Sequence, residues 1–334
     1  MKRILKCSMI IIGTLIGAGF ASGKEIATFF NVFMENGIIG VVMSSFLFGL
    51  VIYFVINMPK KNIEYTNNKA FNLIVKAFTF LCFCIMISAI GTYGNEQYNI
   101  NFWVGTSFAS AICFVLFLLR FKGLEKLNSF LVPIILIGVL LASLISHASS
   151  DYIFYEEEPS NDFLFSNWFL AAVLYTGYNS ILLIPILKEL RIYELKKKEI
   201  FLLSVFSSLI LCLAGIMIYY SVSLYYPEIL SAEMPMLIVA KNTNFYFYVF
   251  YNFVVLFAIF TTAFSSGYAF LMLNFEKNYF RNCALICAMS VLVSRIGFSK
   301  LVNSCFPIFG YIGITQMAYI FIKKRRINLE GERY

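Results

Sequence analysis

The chain has 334 residues, 60% of them hydrophobic and only 13% charged, with a net charge of +8. Soluble domains carry about 25% charged residues, so this composition excludes a soluble enzyme, a nucleic-acid binder and a disordered chain. It describes a protein whose solvent is lipid.

Apolar stretches of about 20 residues, the length that crosses a bilayer, recur along the whole sequence. In chain order they are 4–34, 37–57, 70–93, 102–120, 129–147, 165–187, 199–225, 245–275, 282–298 and 301–322. The runs are continuously apolar rather than alternating, which excludes a transmembrane barrel. The spacing predicts an all-α integral membrane protein of ten transmembrane helices, one polytopic domain over 1–334. Charge placement supports the count. With a cytoplasmic N-terminus, nearly all of the 26 Lys+Arg fall on the inner side, around residues 2–6, 57–76, 120–126, 188–198, 277–281 and 323–333. The outer segments hold Glu35, Glu96, the acidic loop 148–164, Glu228 and Glu233. This is the positive-inside pattern of a multi-pass protein of the cell membrane with both termini cytoplasmic. The surplus charge therefore records orientation, and the expected partners are lipid and a small-molecule substrate, with no nucleic acid.

Residues 1–23, ending in Ala21-Ser22-Gly23, also have the form of a cleavable signal peptide. Retention is favoured because polar Lys24-Glu25 leads straight back into the apolar run 26–33. Ten spans divide as five plus five around loop 148–164, giving repeats at about 4–147 and 165–323. Five is odd, so the second repeat enters the membrane from the opposite side, the arithmetic of an inverted repeat with a discontinuous first span in each half. Span 1 carries Gly13, Gly17, Gly19 and Gly23, and span 6 carries Tyr175-Thr176-Gly177-Tyr178-Asn179-Ser180 followed by Pro185. Glycines at such spacing also serve close helix packing. Their occurrence at corresponding positions of both halves favours two helices, 1 and 6, broken at mid-membrane.

An unwound stretch must find partners for its backbone polar groups. The half-helix beginning near Ala21-Ser22-Gly23 would offer N–H groups to an anion such as a carboxylate, and carbonyls around Gly13 and Ile16 would suit a small cation. The expected substrate contacts are Gly17, Ala18, Gly19, Phe20, Ala21, Ser22 and Gly23, with Tyr175, Thr176, Gly177, Tyr178 and Asn179. In span 8, Thr262, Ser265 and Ser266 lie at i, i+3 and i+4 and share a helical face. Their hydroxyls are hard ligands for an alkali cation, or else bond back to the i−4 carbonyls and do nothing more.

The run Gly17-Ala18-Gly19-Phe20-Ala21-Ser22-Gly23-Lys24-Glu25-Ile26, with Phe29-Phe30, closely resembles the first-span signature of the YkvI-like bacterial membrane proteins. Glu96-Gln97 and Tyr175-x-x-Tyr178-Asn179 are further matches, and the resemblance runs over essentially the whole chain. That family resembles the amino acid–polyamine–organocation superfamily, which implies the LeuT-type five-plus-five inverted repeat. Gly13-x-x-Ile16-Gly17-x-Gly19 is similar to the span 1 break of sodium symporters of this fold. The likeness implies Gly13 and Ile16 as carbonyl ligands for sodium, with Thr262, Ser265 and Ser266 at the span 8 ligand positions. Phe20 stands where a polar residue would serve a second sodium, so at most one sodium ion is expected and no other cofactor. In some proton-coupled relatives a span 5 lysine replaces sodium; the run 129–147 has none.

Lys24 and Glu25 are ionisable groups at membrane depth and functional candidates by default. They suit an external gate, a proton site or an ion pair holding the outer half-helix, and being adjacent they point about 100° apart. Glu96 is expected at the outer vestibule and Arg295 to snorkel outward. His147, the single histidine, is read as interfacial. Cys82-x-Cys84 and Cys283-x3-Cys287 lack a histidine partner and read as small apolar residues rather than zinc ligands. Residues 227–241 have helical apolar spacing and would form a short external cap, while 189–199 reads as a solvated cytoplasmic linker. The expected function is a secondary transporter using alternating access, coupled to sodium. Proton coupling, a ligand sensor that moves nothing, and a membrane-embedded enzyme are the alternatives; the last lacks convergent His, Asp, Glu or Cys residues.

Overall fold

The computed structural model describes residues 2–58, 69–148, 167–225, 229, 232–274, 278–296, 306, 308–319 and 322. These residues form helices and turns, and seven of the helical runs are long and apolar enough to cross a membrane. The first span is divided into α1 (Lys2–Leu15), α2 (Ala18–Ala21) and α3 (Lys24–Phe29). It is followed by α4 (Gly37–Asn57), α5 (Lys69–Tyr98), α6 (Phe102–Leu118) and α7 (Arg120–Ala148). The second half contains α8 (Trp168–Glu189), α9 (Lys197–Ser223), α10 (Pro235–Thr243), α11 (Phe245–Asn274) and α12 (Tyr279–Val293). Residues 308–319 form a further helical segment.

Polar side chains start and stop these helices. Asn101 Oδ1 accepts from the Trp103 N–H at 2.9 Å, and Asn167 Oδ1 accepts from the Leu170 N–H at 2.8 Å; each satisfies a donor the helix itself leaves unpaired. At the other end of α4, the Arg191 guanidinium donates to the carbonyls of Val55 (2.7 Å), Ile56 (3.1 Å) and Met58. A cation at a helix C-terminus meets the negative end of its dipole. The expected solvated linker is therefore corrected: Leu190 is buried and Arg191 docks the segment onto α4, leaving Lys196, Lys197 and Lys198 exposed.

Helix α7 begins nine residues before the expected span, because Arg120, Lys122 and Lys126 lie in its first turns rather than in a loop. The α6–α7 corner is turned at Arg120, whose φ is 52°, and its guanidinium lies 4.7 Å from the centre of the Tyr279 ring. Loop 148–164 and the C-terminal basic run fall almost entirely outside the described residues, as does the side chain of His147.

The bundle buries its polar residues and shows apolar ones outward. Phe108, Phe130, Leu213 and Leu292 are each about 60–70% exposed, while Thr79, Ser110, Asn128 and Ser180 are buried. That inversion suits hydrocarbon as solvent. Helix α11 packs against α5 and α7, α4 packs against α8 and α9, and α1 lies in contact with α7, α9 and α11. The first helix is thus enclosed by the others, and its interruption lies in the interior.

Candidate functional site

The helix breaks at Ile16–Gly17 because Gly17 adopts extended dihedrals (φ −93°, ψ −169°). Its N–H turns to the Leu15 carbonyl at 3.0 Å instead of reaching back to Gly13. Both Ile16 and Gly17 are buried. A second interruption falls at Ser22–Gly23, where Gly23 has φ +79°, a left-handed conformation that glycine adopts without steric cost. The half-helix expected to begin near Ala21-Ser22-Gly23 corresponds to α3, which starts at Lys24 after the N-cap Gly23. It has six residues, and α2 before it only four, too few aligned peptides to sum into a strong anion-attracting dipole.

Helix α11 lies directly against the first interruption. Gly17 sits so close to Thr262 that a Cβ there would come within 2.5 Å of the Thr262 Oγ1. That hydroxyl is buried and has no hydrogen-bond partner among the described residues. One turn back, the Thr14 hydroxyl donates to the Ile10 carbonyl at 2.8 Å and approaches the Ser265 hydroxyl at 3.4 Å. Ser265 and Ser266 themselves donate to the carbonyls of Thr261 (2.8 Å) and Thr262 (2.7 Å). For those two serines the local back-bonding expectation holds; for Thr262 it does not. Gly13 contacts helix α7, where a Cβ would lie 2.6 Å from Asn128 Oδ1, and both amide atoms of Asn128 are buried without partners among the described residues. Asn128 was missed in the sequence because it precedes the apolar run of span 5 and follows a charged stretch, and so reads as loop.

Helix α8 is continuous from Trp168 to Glu189, with Pro185 inside it, so the predicted break in helix 6 is corrected. Its polar residues satisfy themselves within the helix. Thr176 donates to the Ala172 carbonyl at 2.8 Å, Asn179 to the Tyr175 carbonyl at 3.1 Å and Ser180 to the Thr176 carbonyl at 2.7 Å. Gly177 is a packing glycine, in close backbone contact with Gly310 and Gly313 of the 308–319 segment. Close approach of small residues is a general device of membrane helices, and here it explains the glycine without a break.

The other expected contacts divide. Phe20 turns toward Gly215 of α9, and the Ala21 carbonyl accepts from the Tyr251 hydroxyl at 2.7 Å. Ala18 is buried, and Ser22 donates to the Gly19 carbonyl at 3.3 Å. Lys24 and Glu25 point to separate surroundings, as their adjacency implies. The Lys24 ammonium donates to the Ala232 carbonyl at 2.8 Å, and the Met236 N–H donates to the Ser22 carbonyl at 2.7 Å. These two bonds tie the segment around α10, in the region of the expected external cap, to the first span. Glu25 turns inward over Gly19, close to Tyr175 and Tyr178. Glu96 is exposed at the end of α5 and lies within electrostatic reach of Glu233. Cys82, Cys84, Cys283 and Cys287 are buried, and the described residues contain no cluster of His, Cys, Asp or Glu able to hold a metal ion.

The described residues form a helical membrane bundle with an interrupted, enclosed first helix, and its fold is similar to that of solved membrane transporters. Solved structures with this fold include the Eremococcus coleocola manganese transporter bound to an aromatic bis-isothiourea compound, at TM-score 0.58 and 11% identity over 95% of this chain and 76% of that one. A Na+-coupled sialic acid symporter in a substrate-bound outward-open state matches at TM-score 0.58 and 12% identity, over 93% and 76% of the two chains. In sequence, the chain is similar to two uncharacterized proteins of Bacillus subtilis (strain 168). The membrane protein YkvI is 24% identical over 342 residues, covering 95% of each chain, and YyaD is 24% identical over 326 residues, covering 93% of this chain and 94% of the relative. No family model matches the chain. The resemblance to YkvI-like membrane proteins therefore extends along nearly the full length, and the structural likeness shows the fold.

Proposed function

We propose that the chain is a secondary active transporter, carrying an amino acid or similar small zwitterion by alternating access, with one sodium ion as the coupling cation. It lies in the cell membrane with both termini cytoplasmic, and its spans form ten helices in a five-plus-five inverted repeat. The observation that carries the reading is the meeting of Ile16–Gly17 with the unpartnered Thr262 hydroxyl. The break takes the Gly17 N–H away from the Gly13 carbonyl, and irregular backbone at membrane depth is tolerated where it lines a binding cavity. Carbonyl and hydroxyl oxygens together are a donor set for a dehydrated alkali cation. Ser265, which Thr14 approaches at 3.4 Å, lies one turn further along α11, while Asn128 of α7 lies against Gly13.

The test is uptake of radiolabelled amino acids into proteoliposomes containing the full chain. The reading expects accumulation under an inward sodium gradient and its collapse when sodium is equal on both sides. Equal accumulation under a pH gradient alone would overturn the sodium assignment. Ligand binding without flux under any gradient would overturn transport and identify a sensor.

A further inference from the structure

The cation site of Gly17 and Thr262 makes no use of Glu25. This carboxylate comes from α3 and folds back over α2, where a Cβ on Gly19 would come within 2.5 Å of its Cγ and 2.6 Å of its Cδ. Glu25 is 5% exposed, and its Oε2 has no hydrogen-bond donor among the described residues. The neighbouring cation, Lys24, is directed to the Ala232 carbonyl. Lys6 pairs with Glu125 at 2.8 Å and joins α1 to the start of α7. A carboxylate withdrawn from water in this way is strongly disfavoured unless a cation and donors replace its hydration.

The walls around Glu25 have a specific chemistry. Phe29 and Tyr175 meet edge to face at 5.4 Å, Phe29 and Tyr178 approach at 5.6 Å, and Tyr175 stands at 89° to Tyr178 with centroids 5.5 Å apart. Phe306 stacks on Tyr178 at 4.6 Å. The Tyr178 hydroxyl is buried beside the Glu25 carboxylate, and like Glu25 Oε2 it completes no full hydrogen bond among the described residues. A buried carboxylate beside tyrosine hydroxyl oxygens and aromatic rings is the acceptor set that recognises an ammonium group, which donates a charge-assisted hydrogen bond to the carboxylate and gains cation–π attraction from a ring. The short helices α2 and α3 offer no comparable seat for an anion.

We propose that Glu25, with Tyr175 and Tyr178, seats the protonated amino group of the solute, so that the transported molecule is an organic ammonium ion, either an amine or an amino acid held through its ammonium. The inference deepens the transport reading and rests on it for the solute's movement, though not for its binding.

The experiment is a thermal-shift titration of the purified full chain, with each common amino acid set beside its decarboxylated amine and its deaminated acid. Binding to the native state raises the melting temperature by mass action. Stabilisation by at least one amino acid and its amine, absent with the matching deaminated acid, is expected. Glu25→Gln should weaken binding about 30-fold or more, while the unliganded variant melts at the same or a higher temperature because a neutral amide replaces an unpaired charge. Tyr178→Phe, which keeps the ring, should weaken binding about 3- to 10-fold. Deaminated acids binding as well as their parents, full affinity in Glu25→Gln, or no stabilisation by any amine would each overturn the proposal. Full affinity in Glu25→Gln with loss of pH-driven uptake would make Glu25 a proton carrier instead, and also overturns it. Uptake of the same amine separates the two readings: binding without uptake removes the transporter and leaves the ammonium seat, whereas uptake indifferent to Glu25→Gln does the reverse.

Discussion

Gly17 and Thr262 meet at a distance that only a residue without a side chain allows, and this contact fixes how α1 and α11 share the interior. Gly17→Ala would set a methyl 2.5 Å from Thr262 Oγ1, within buried surroundings on both sides. Overpacking of this kind costs about 1–3 kcal/mol, so the variant should melt measurably lower than the parent. Adding Thr262→Ala should recover much of the loss, and a double-mutant cycle on melting temperatures reads the coupling directly. Additive losses would show that the two residues do not share a contact surface. Both residues were legible in the sequence, because a glycine cluster and a hydroxyl triplet each interrupt an apolar run. The convergence of Glu25 on Gly19, Tyr175 and Tyr178 was not legible, since side-chain direction across a broken helix depends on the break's own dihedrals. Asn128 was hidden by its charged flank.

At the scale of elements, most helix boundaries followed from apolar length alone, and α4 spans the predicted 37–57. The same signal could not distinguish an unwound helix from a packed one. Glycine with polar neighbours marks both, and only the partner surface decides. At the α1–α2 break Gly17 faces a polar side chain of α11; in α8 Gly177 faces another helix backbone. Gly177→Val therefore serves as the discriminating substitution, because any Cβ there collides with the Gly310 carbonyl. It should lower the melting temperature by an amount equivalent to about 1–3 kcal/mol, and an unchanged melting temperature would reopen the case for an unwound α8. Helix α4 offers an independent check of the 190–193 turn. Arg191→Ala removes the cation from three carbonyls at its C-terminus, and hydrogen bonds to charged groups contribute about 1.5–3 kcal/mol. The expected readout is a lower melting temperature together with faster amide exchange in the last turn of α4.

For the whole molecule, composition points to lipid as the solvent, and the arrangement of Lys and Arg predicts an orientation that the helices alone do not carry. That orientation can be measured. The described cysteines are buried or half-buried, so background labelling by a membrane-impermeant maleimide should be low in intact cells. Ser150→Cys should react from outside and Thr66→Cys should react only after permeabilisation; the opposite pattern would invert the topology. Beyond orientation, the central claim is that cation coupling resides where the interrupted α1 meets Thr262 of α11. The most direct measurement is sodium-gradient-driven uptake into proteoliposomes by the parent chain and by Thr262→Val, at equal protein content and over a range of sodium concentrations. Loss of sodium-dependent accumulation in Thr262→Val, with sodium-independent exchange of the solute retained, is the predicted result. An unchanged sodium dependence in that variant would contradict the account.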